Sequence, residues 1–255
     1  RIANSEGIIN GPADVLSGQS SEMYRAQVGY PIGYFYGYKT AGIFQNEAEI
    51  QSYTGKNGMI MPDAKPGDVK FLDLNGNGVI DADDRTMIGN PHPDYTMGLS
   101  LNASYKGFDF SVTGNGTFGN QIAQSYRDYA MNARDNYTMD IIKGRWHGEG
   151  SSNKYPRLTS TPHMNWIYVS DLYIHNGDYF RISNVTLGYD FVKLFKSLPF
   201  QQLRIYGTVQ NLYTFTGYNG FDPEIGYGGD SWSSGIDLGF YPSARTFIIG
   251  ANIKF

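Results

Sequence analysis

The sequence predicts an all-β chain that supplies about six or seven strands to a large antiparallel transmembrane β-barrel. Two observations predict this fold: apolar and polar residues alternate over stretches of about ten residues, and long and short connections alternate between these stretches. Ten residues that rise about 3.3 Å each along a strand tilted by about 40° climb roughly 25 Å, the height of the apolar band of an outer-membrane barrel. No apolar run approaches the roughly 18 residues of a transmembrane helix, so the chain can cross a membrane only as strands.

The clearest pair of strands is a hairpin. Tyr95 to Tyr105 place apolar side chains at every second position, and after a Lys106-Gly107 turn, Phe108 to Phe118 bring their apolar residues to the same face. Both strands carry an aromatic residue at each end of that face, as lipid-facing strands do. We expect six strands in all: Gly33 to Phe44, Tyr95 to Tyr105, Phe108 to Phe118, Tyr179 to Phe191, Leu203 to Phe215 and Thr246 to Phe255.

The connections between these strands differ in length in a regular way. Residues 45–94 and 119–178 form long connections and 216–245 an intermediate one, and all three leave the same end of the predicted sheet. The short turns lie at the other end, which is the pattern of long extracellular loops and short periplasmic turns. In the fourth strand the alternation changes phase near Ser183-Asn184, which predicts a β-bulge. A closed membrane barrel needs at least about eight strands, so we expect residues 1–255 to be one portion of a larger barrel.

The last predicted strand alternates down to a terminal aromatic residue. It resembles the terminal-strand signal of outer-membrane proteins, which the barrel assembly machinery reads as a glycine, an apolar residue two positions before the end and a final phenylalanine. In this chain the three positions are Gly250, Ile253 and Phe255. By the parity of the connections, this strand ends on the periplasmic side.

The composition agrees with this fold. The chain has 32 glycines, 21 tyrosines, no cysteine and a formal net charge of −4, with a mean hydropathy of −0.40. The weak acidity and the lack of a basic stripe argue against binding of nucleic acid. A soluble β-sandwich with one wet face is the alternative reading of the alternation.

The connection 45–94 contains a calcium-loop-like insertion at residues 73–84. Calcium loops place oxygen ligands at positions 1, 3, 5, 7, 9 and 12 and a glycine at position 6. The residues at these ligand positions are Asp73, Asn75, Asn77, Val79 through its carbonyl, Asp81 and Asp84, and Gly78 is at position 6. The loop therefore predicts a structural calcium ion, bound more weakly than usual because Asp84 stands where a glutamate is common. The alternative is an Asn-Gly-rich turn held by side-chain hydrogen bonds with no ion.

Other motif-like strings do not predict catalysis. Gly114 to Gly119 matches a dinucleotide-binding pattern but ends an alternating strand, so we expect its glycines to ease strand curvature or to allow a close approach between strands. The pair Asp222 and Glu224 could resemble glycosidase carboxylates, although a solvated or partner-contacting loop is the expected role. Trp166 in a long connection could stack on a substrate, belong to the upper aromatic girdle or pack internally. We therefore expect no enzyme activity and no organic cofactor, and the substrate-binding residues are unknown.

Several motifs together carry a family resemblance that covers most of the chain. They lie at Val28 to Tyr38, Pro66 to Phe71, Asp73 to Asp81, Ile88 to Tyr95, Tyr105 to Asp109, Tyr179 to Tyr189, Gln210 to Leu212 and Tyr241 to Thr246. In this order they resemble the C-terminal third of a TonB-dependent transporter of the SusC/RagA type. The resemblance implies a 22-stranded barrel in the bacterial outer membrane, of which this chain supplies a part without the N-terminal plug.

The resemblance also implies a function and a set of partners. Such transporters import oligosaccharides or oligopeptides, powered through the TonB complex, with a SusD-like surface lipoprotein as a lid. The other expected partners are the remaining N-terminal barrel and plug of the same transporter and the lipid of the outer membrane. The alternative function is a secreted, calcium-stabilised, β-rich adhesin or glycan-binding module, which would be water-soluble.

Overall fold

The computed structural model describes residues 8–10, 23–124, 139–160, 163–195, 199–225, 234–237 and 239–255. Numbered in chain order, its strands are β1 Ile8–Asn10, β2 Tyr24–Gln27, β3 Tyr34–Gly37, β4 Thr40–Ile43, β5 Thr54–Gly55, β6 Gly58–Met59, β7 Val69–Phe71, β8 Thr86–Gly89, β9 Tyr95–Tyr105, β10 Phe108–Phe118, β11 Gln121–Gln124, β12 Ile174–Asn176, β13 Tyr179–Asp190, β14 Gln202–Thr216, β15 Ile236–Asp237 and β16 Thr246–Lys254. The α-helices are α1 Glu47–Ser52, α2 Met139–Gly144 and α3 Met164–Ile167. Within these ranges, no helix combines the length and the apolar character needed to cross a membrane.

The chain divides into two compact units that are interleaved in sequence. The sheet unit comprises residues 93–120, 176–224 and 240–255, and the loop unit comprises 1–92, 121–175 and 225–239. The second and third segments of the loop unit are inserted between consecutive long strands of the sheet unit, whereas the first precedes β9.

The sheet unit is one antiparallel sheet with the strand order β16-β14-β13-β10-β9. The strands β9 and β10 have the predicted bounds, and β13, β14 and β16 differ from prediction by one residue at one or both ends. Lys106 and Gly107 have positive φ angles of 46° and 93°, as the two central residues of a tight hairpin turn do. Glycine adopts such an angle without strain. Tyr95 pairs with Phe118, and Tyr179 pairs with Thr216, so the long connections leave one end of the sheet as predicted.

The predicted β-bulge is confirmed. The pairing of β13 with β10 shifts between Thr113 and Gly114, and its pairing with β14 shifts between Ile182 and Asn184. An extra residue at Ser183 therefore moves Ile182 to the face that Val185 occupies further along the strand.

The predicted long strand from Gly33 to Phe44 is wrong. The structure has two short strands there, β3 and β4, and they pair with other strands of the loop unit: β3 with β2 and β8, and β4 with β7. All four residues of β3 are buried, so neither of its faces is exposed. Gly42 lies inside β4 and has a positive φ angle of 96°, and the pairing of β4 with β7 shifts register between Thr40 and Ile43.

The loop unit has its own hydrophobic core, to which all three of its segments contribute. Phe35 comes from the first segment, Trp166 and Tyr173 from the second and Ile236 from the third, and each is at most 4% exposed. The strands β11 and β15 also join the second and third segments as a parallel pair. Burial of apolar surface is the dominant favourable term in folding, so these three segments stabilise each other.

A buried ionic cluster fastens the first segment of the loop unit to the second. Asp68 is fully buried and accepts hydrogen bonds from Arg157 Nε at 2.6 Å and Arg157 Nη2 at 3.2 Å. Asn165 Nδ2 donates to the same carboxylate at 3.0 Å, and Asn165 Oδ1 accepts from Val69 N–H at 2.9 Å. A buried charge needs such partners, because breaking the pair would leave it uncompensated.

Candidate functional site

One face of the sheet unit is apolar and exposed. Leu101 of β9, Leu187 of β13 and Ile249 of β16 are 55%, 55% and 86% exposed. In a folded soluble domain such side chains are normally covered, and an exposed apolar surface of this extent marks a site of contact with lipid or protein.

Aromatic side chains border this face at both ends of the strands, as the sequence predicts. The ring pairs near the long connections are Tyr95 with Phe118, at 5.1 Å between centroids, and Tyr213 with Phe215, at 4.7 Å. The pairs near the short turns are Phe108 with Tyr189, at 4.4 Å, and Phe200 with Phe255, at 5.3 Å. Two aromatic rows with an aliphatic zone between them are typical of a strand that crosses a bilayer.

The glycines of β10 lie under an aromatic ring of the neighbouring strand. A Cβ atom at Gly114 would lie 2.7 Å from Phe180 Cζ, and one at Gly116 would lie 3.0 Å from Phe180 Cδ2. The ring of Phe180 therefore occupies the space that larger residues would need. These glycines allow a close approach between strands, and the string that resembles a dinucleotide motif has this structural role.

The three residues of the predicted assembly signal lie on β16. Gly250 pairs with Tyr206 of β14, and a Cβ atom at Gly250 would lie 2.5 Å from Tyr206 Cζ. Ile253 and Phe255 are 52% and 80% exposed on the apolar side. Recognition of these residues by an assembly machinery stays a prediction.

The 73–84 loop is held by hydrogen bonds from its own side chains to its backbone. Asp73 Oδ1 accepts from Gly76 N–H at 2.7 Å, and Asp73 Oδ2 accepts from Gly78 N–H at 2.8 Å. Asn75 Oδ1 accepts from Asn77 N–H at 2.8 Å. Asn77 Oδ1 in turn accepts from Val79 N–H at 2.9 Å. Gly76 and Gly78 have φ angles of 71° and 91°, which explains the need for glycine at both turns.

The side chain of Asp84 joins the two halves of the loop by hydrogen bonds. Its side chain is fully buried, and its Oδ1 accepts from Leu74 N–H at 2.8 Å and Asn75 N–H at 3.3 Å. Its Oδ2 accepts from Asp81 N–H at 2.9 Å, while Asp81 Oδ1 accepts from Asp83 N–H at 2.9 Å. The last predicted ligand position is thus joined to the first half of the loop through backbone donors.

The residues predicted to bind calcium are therefore neighbours in space, but their carboxylates do not converge. In the described ranges, no three His, Cys, Asp or Glu side chains are grouped closely enough to hold a metal ion. The hydrogen bonds account for the loop conformation as the ion-free alternative expects. Both carboxylate oxygens of Asp73 accept one hydrogen bond each and keep a second lone pair, whereas Asp84 Oδ1 already accepts two. The donor set consists of oxygen atoms alone, which suits a hard cation.

Sequence reasoning missed the ionic contacts on the polar face of the sheet. Asp222 is 8% exposed and pairs with Arg181, although a solvated loop is the expected environment. Arg204 Nε donates to Asp109 Oδ1 at 2.8 Å. Asp109 aligns through Gly188 of β13 with Tyr206 of β14, two residues from Arg204, so only the register of three strands could have indicated this pair. Trp166 is 4% exposed in the core of the loop unit and therefore packs internally.

Comparisons with known proteins give one consistent family. No protein-family model matches the chain. The chain is 34% identical over 233 residues to TonB-dependent receptor P3 of Formosa agariphila, which covers 89% of this chain and 22% of that protein. It is 31% identical over 243 residues to TonB-dependent receptor SusC of Bacteroides thetaiotaomicron, covering 94% of this chain and 21% of SusC. A solved structure of the RagAB peptide transporter superposes with a TM-score of 0.67 at 22% identity, covering 91% of this chain and 24% of that one.

The chain forms part of the wall of a large transmembrane β-barrel. This class is defined by the long antiparallel strands, by their exposed apolar face and by the similarity to the solved transporter structure. The chain spans between a fifth and a quarter of the length of the relatives it matches. Within that class it belongs to the TonB-dependent receptors of the SusC/RagA type.

Proposed function

We propose that this chain is the C-terminal part of the barrel of a nutrient importer in the bacterial outer membrane. The observation that carries the proposal is the exposed apolar face of the sheet unit between two aromatic rows. Such a face is costly in water and is stabilised in hydrocarbon. Among the described strands, β9 and β16 each pair on one side only, and further strands of a closed barrel would satisfy these edges.

The names of the relatives support a proposal for the cargo and the partners. One is named SusC, and a structural neighbour is described as a peptide transporter. We propose uptake of oligopeptides or oligosaccharides, energised through TonB, with a SusD-like lipoprotein as the partner at the cell surface. The relatives are named as receptors and transporters, so we propose transport and no catalysis.

Fractionation of the full-length receptor tests this function. We expect it in the outer membrane, and we expect deletion of Phe255 to lower its amount there, whereas Phe255→Tyr keeps an aromatic terminus and serves as the matched control. A fully water-soluble product would contradict the proposal and support a secreted adhesin or glycan-binding module. Uptake of fluorescent maltooligosaccharides and of fluorescent casein peptides by cells with and without the receptor then distinguishes the two cargo classes.

We also propose that the 73–84 loop binds one calcium ion, which stiffens the loop unit and takes no part in transport chemistry. The ligands would be Asp73, Asn75, Asn77, the Val79 carbonyl, Asp81 and Asp84, and the spacing of these oxygens supports the proposal.

Limited proteolysis tests the calcium proposal. The full-length receptor is digested in calcium chloride, in magnesium chloride and in chelator, and we expect cleavage within 73–84 to slow in calcium alone. Asp73→Asn should remove the difference, whereas Asp63→Asn, outside the loop, should retain it. Equal cleavage of the wild-type receptor in calcium and chelator would contradict calcium binding.

A further inference from the structure

The connection that follows β14 turns back onto the polar face of the sheet. Arg181 lies on β13 opposite Thr214 of β14, on the face opposite to Phe180. Its Nε donates to Thr214 Oγ1 at 2.9 Å and its Nη1 to Glu224 Oε2 at 2.7 Å, while its Nη2 donates to Asp222 Oδ1. The chain therefore leaves the sheet at Thr216 and returns to the guanidinium group that Thr214 already contacts.

The same carboxylate also binds the returning end of this connection. Asp222 Oδ1 accepts from Glu224 N–H at 2.9 Å, and Asp222 Oδ2 accepts from Ser243 N–H at 3.2 Å. Ser243 lies three residues before β16 begins at Thr246. The outgoing leg, residues 217–224, and the returning leg, residues 240–245, are thus joined to each other and to β13. We name the three charged residues Arg181, Asp222 and Glu224 the Arg181 clasp.

Burial makes the clasp difficult to open. The side chains of Arg181 and Asp222 are 5% and 9% exposed, whereas those of a second ion pair on this face, Arg204 and Asp109, are 20% and 37% exposed. Separating a buried pair leaves an uncompensated charge in each partner, which costs far more than separating an exposed pair. The planar guanidinium also binds both carboxylates and Thr214 in one geometry, which a lysine could not do.

The polar face of a barrel wall is the lumen face, because the apolar face contacts lipid. We propose that Arg181 is a positioning residue for transport. The clasp holds both legs of the connection against the lumen face, so that residues 217–224 form a fixed part of the channel lining and do not swing clear during uptake. This inference rests on the proposed function, since it needs a barrel that transports.

Hydrogen exchange in the full-length receptor, inserted in nanodiscs, tests the clasp. The variant Arg181→Gln with Asp222→Asn removes both buried charges together, so it leaves no unpaired buried charge to prevent folding, and the Glu224 side chain, which is 51% exposed, remains in contact with solvent. We expect peptides covering 217–224 to exchange at least tenfold faster in this variant, while β10 and β13 keep their protection. The matched control is Arg204→Gln with Asp109→Asn, which removes the second ion pair of the same face and should leave 217–224 unchanged.

A conservative variant separates positioning from general stability. Arg181→Lys keeps the charge but loses the fork, so its exchange at 217–224 should lie between the wild type and the double variant, at an unchanged unfolding midpoint. Fast exchange of 217–224 in the wild type, or equal exchange in all variants, would overturn the clasp. If the receptor is found in the membrane fraction and gives either of these two exchange results, the clasp alone is refuted. A water-soluble receptor refutes the proposed function.

Discussion

Replacing Gly250 by alanine tests why a glycine stands near the end of β16. The ring of Tyr206 covers this position, and an added Cβ atom would lie 2.5 Å from both Cζ and Oη of that ring. No relaxed contact between heavy atoms is that short, so the ring must move. Overpacking of this kind costs about 1–3 kcal/mol. The moved ring also loses its contact with Arg204, whose Cζ lies 4.5 Å from the ring centroid, and such a contact contributes about 0.5–1 kcal/mol.

A double-mutant cycle on the full-length receptor distinguishes packing from recognition. About 2 kcal/mol lowers the ratio of folded to unfolded protein by roughly 30-fold, which urea unfolding in lipid vesicles can resolve. Gly250→Ala should show this loss, and Tyr206→Ala should remove most of it by opening the space. Gly207→Ala is the control, because nothing lies within 4 Å of its added Cβ. An equal loss in the Tyr206→Ala background would refute the packing explanation and leave recognition by the assembly machinery as the reason for the glycine.

Three further predictions concern the loop unit of the full-length receptor. Asp84→Asn weakens three hydrogen bonds from backbone N–H groups to a buried carboxylate, so the amides of residues 73–84 should exchange at least about tenfold faster. Asp83 is exposed, so Asp83→Asn should leave this exchange unchanged. Equal exchange in both variants would refute this role of Asp84. Asp68→Ala should cost roughly 3 kcal/mol in urea unfolding, the lower end for a buried pair because Arg157 is 26% exposed; an unchanged midpoint would refute it. Burial raises the pKa of Tyr53, so the folded state holds this proton more tightly than the unfolded chain. Stability should therefore fall as the pH rises above about 10, less so in Tyr53→Phe, and identical pH profiles would contradict this.

The long strands of the sheet unit could be predicted from the sequence because side chains of a barrel strand alternate between two different environments. Each residue of β9 and β10 faces either lipid or lumen, so the period-two pattern from Tyr95 to Phe118 defines both strands and their turn. The bulge at Ser183 was predictable for the same reason, since an extra residue reverses the alternation. The position of the Phe180 ring over Gly116 could not be predicted, because it depends on the register of two strands that are distant in sequence.

The loop unit could not be predicted in this way. Tyr34, Tyr36 and Tyr38 stand at every second position, as aromatic residues of a lipid-facing strand can, yet all three are buried in the loop unit. Hydrophobic alternation does not distinguish lipid from a protein core. The partners of Asp222 were equally hidden, because Arg181 lies 41 residues earlier in the chain and only the pairing of β13 with β14 brings the two together.

The core that three distant stretches share has a consequence for the maturation of the receptor. The β9–β10 hairpin can form between neighbours in sequence, but Phe35 and Ile236, which belong to one core, are roughly 200 positions apart. If strands enter the bilayer before this core is complete, each stretch must be exported with its aromatic residues uncovered. A chain in which the stretch around Ile236 is not yet packed would leave this core incomplete, and the loop unit would then be open to proteolysis.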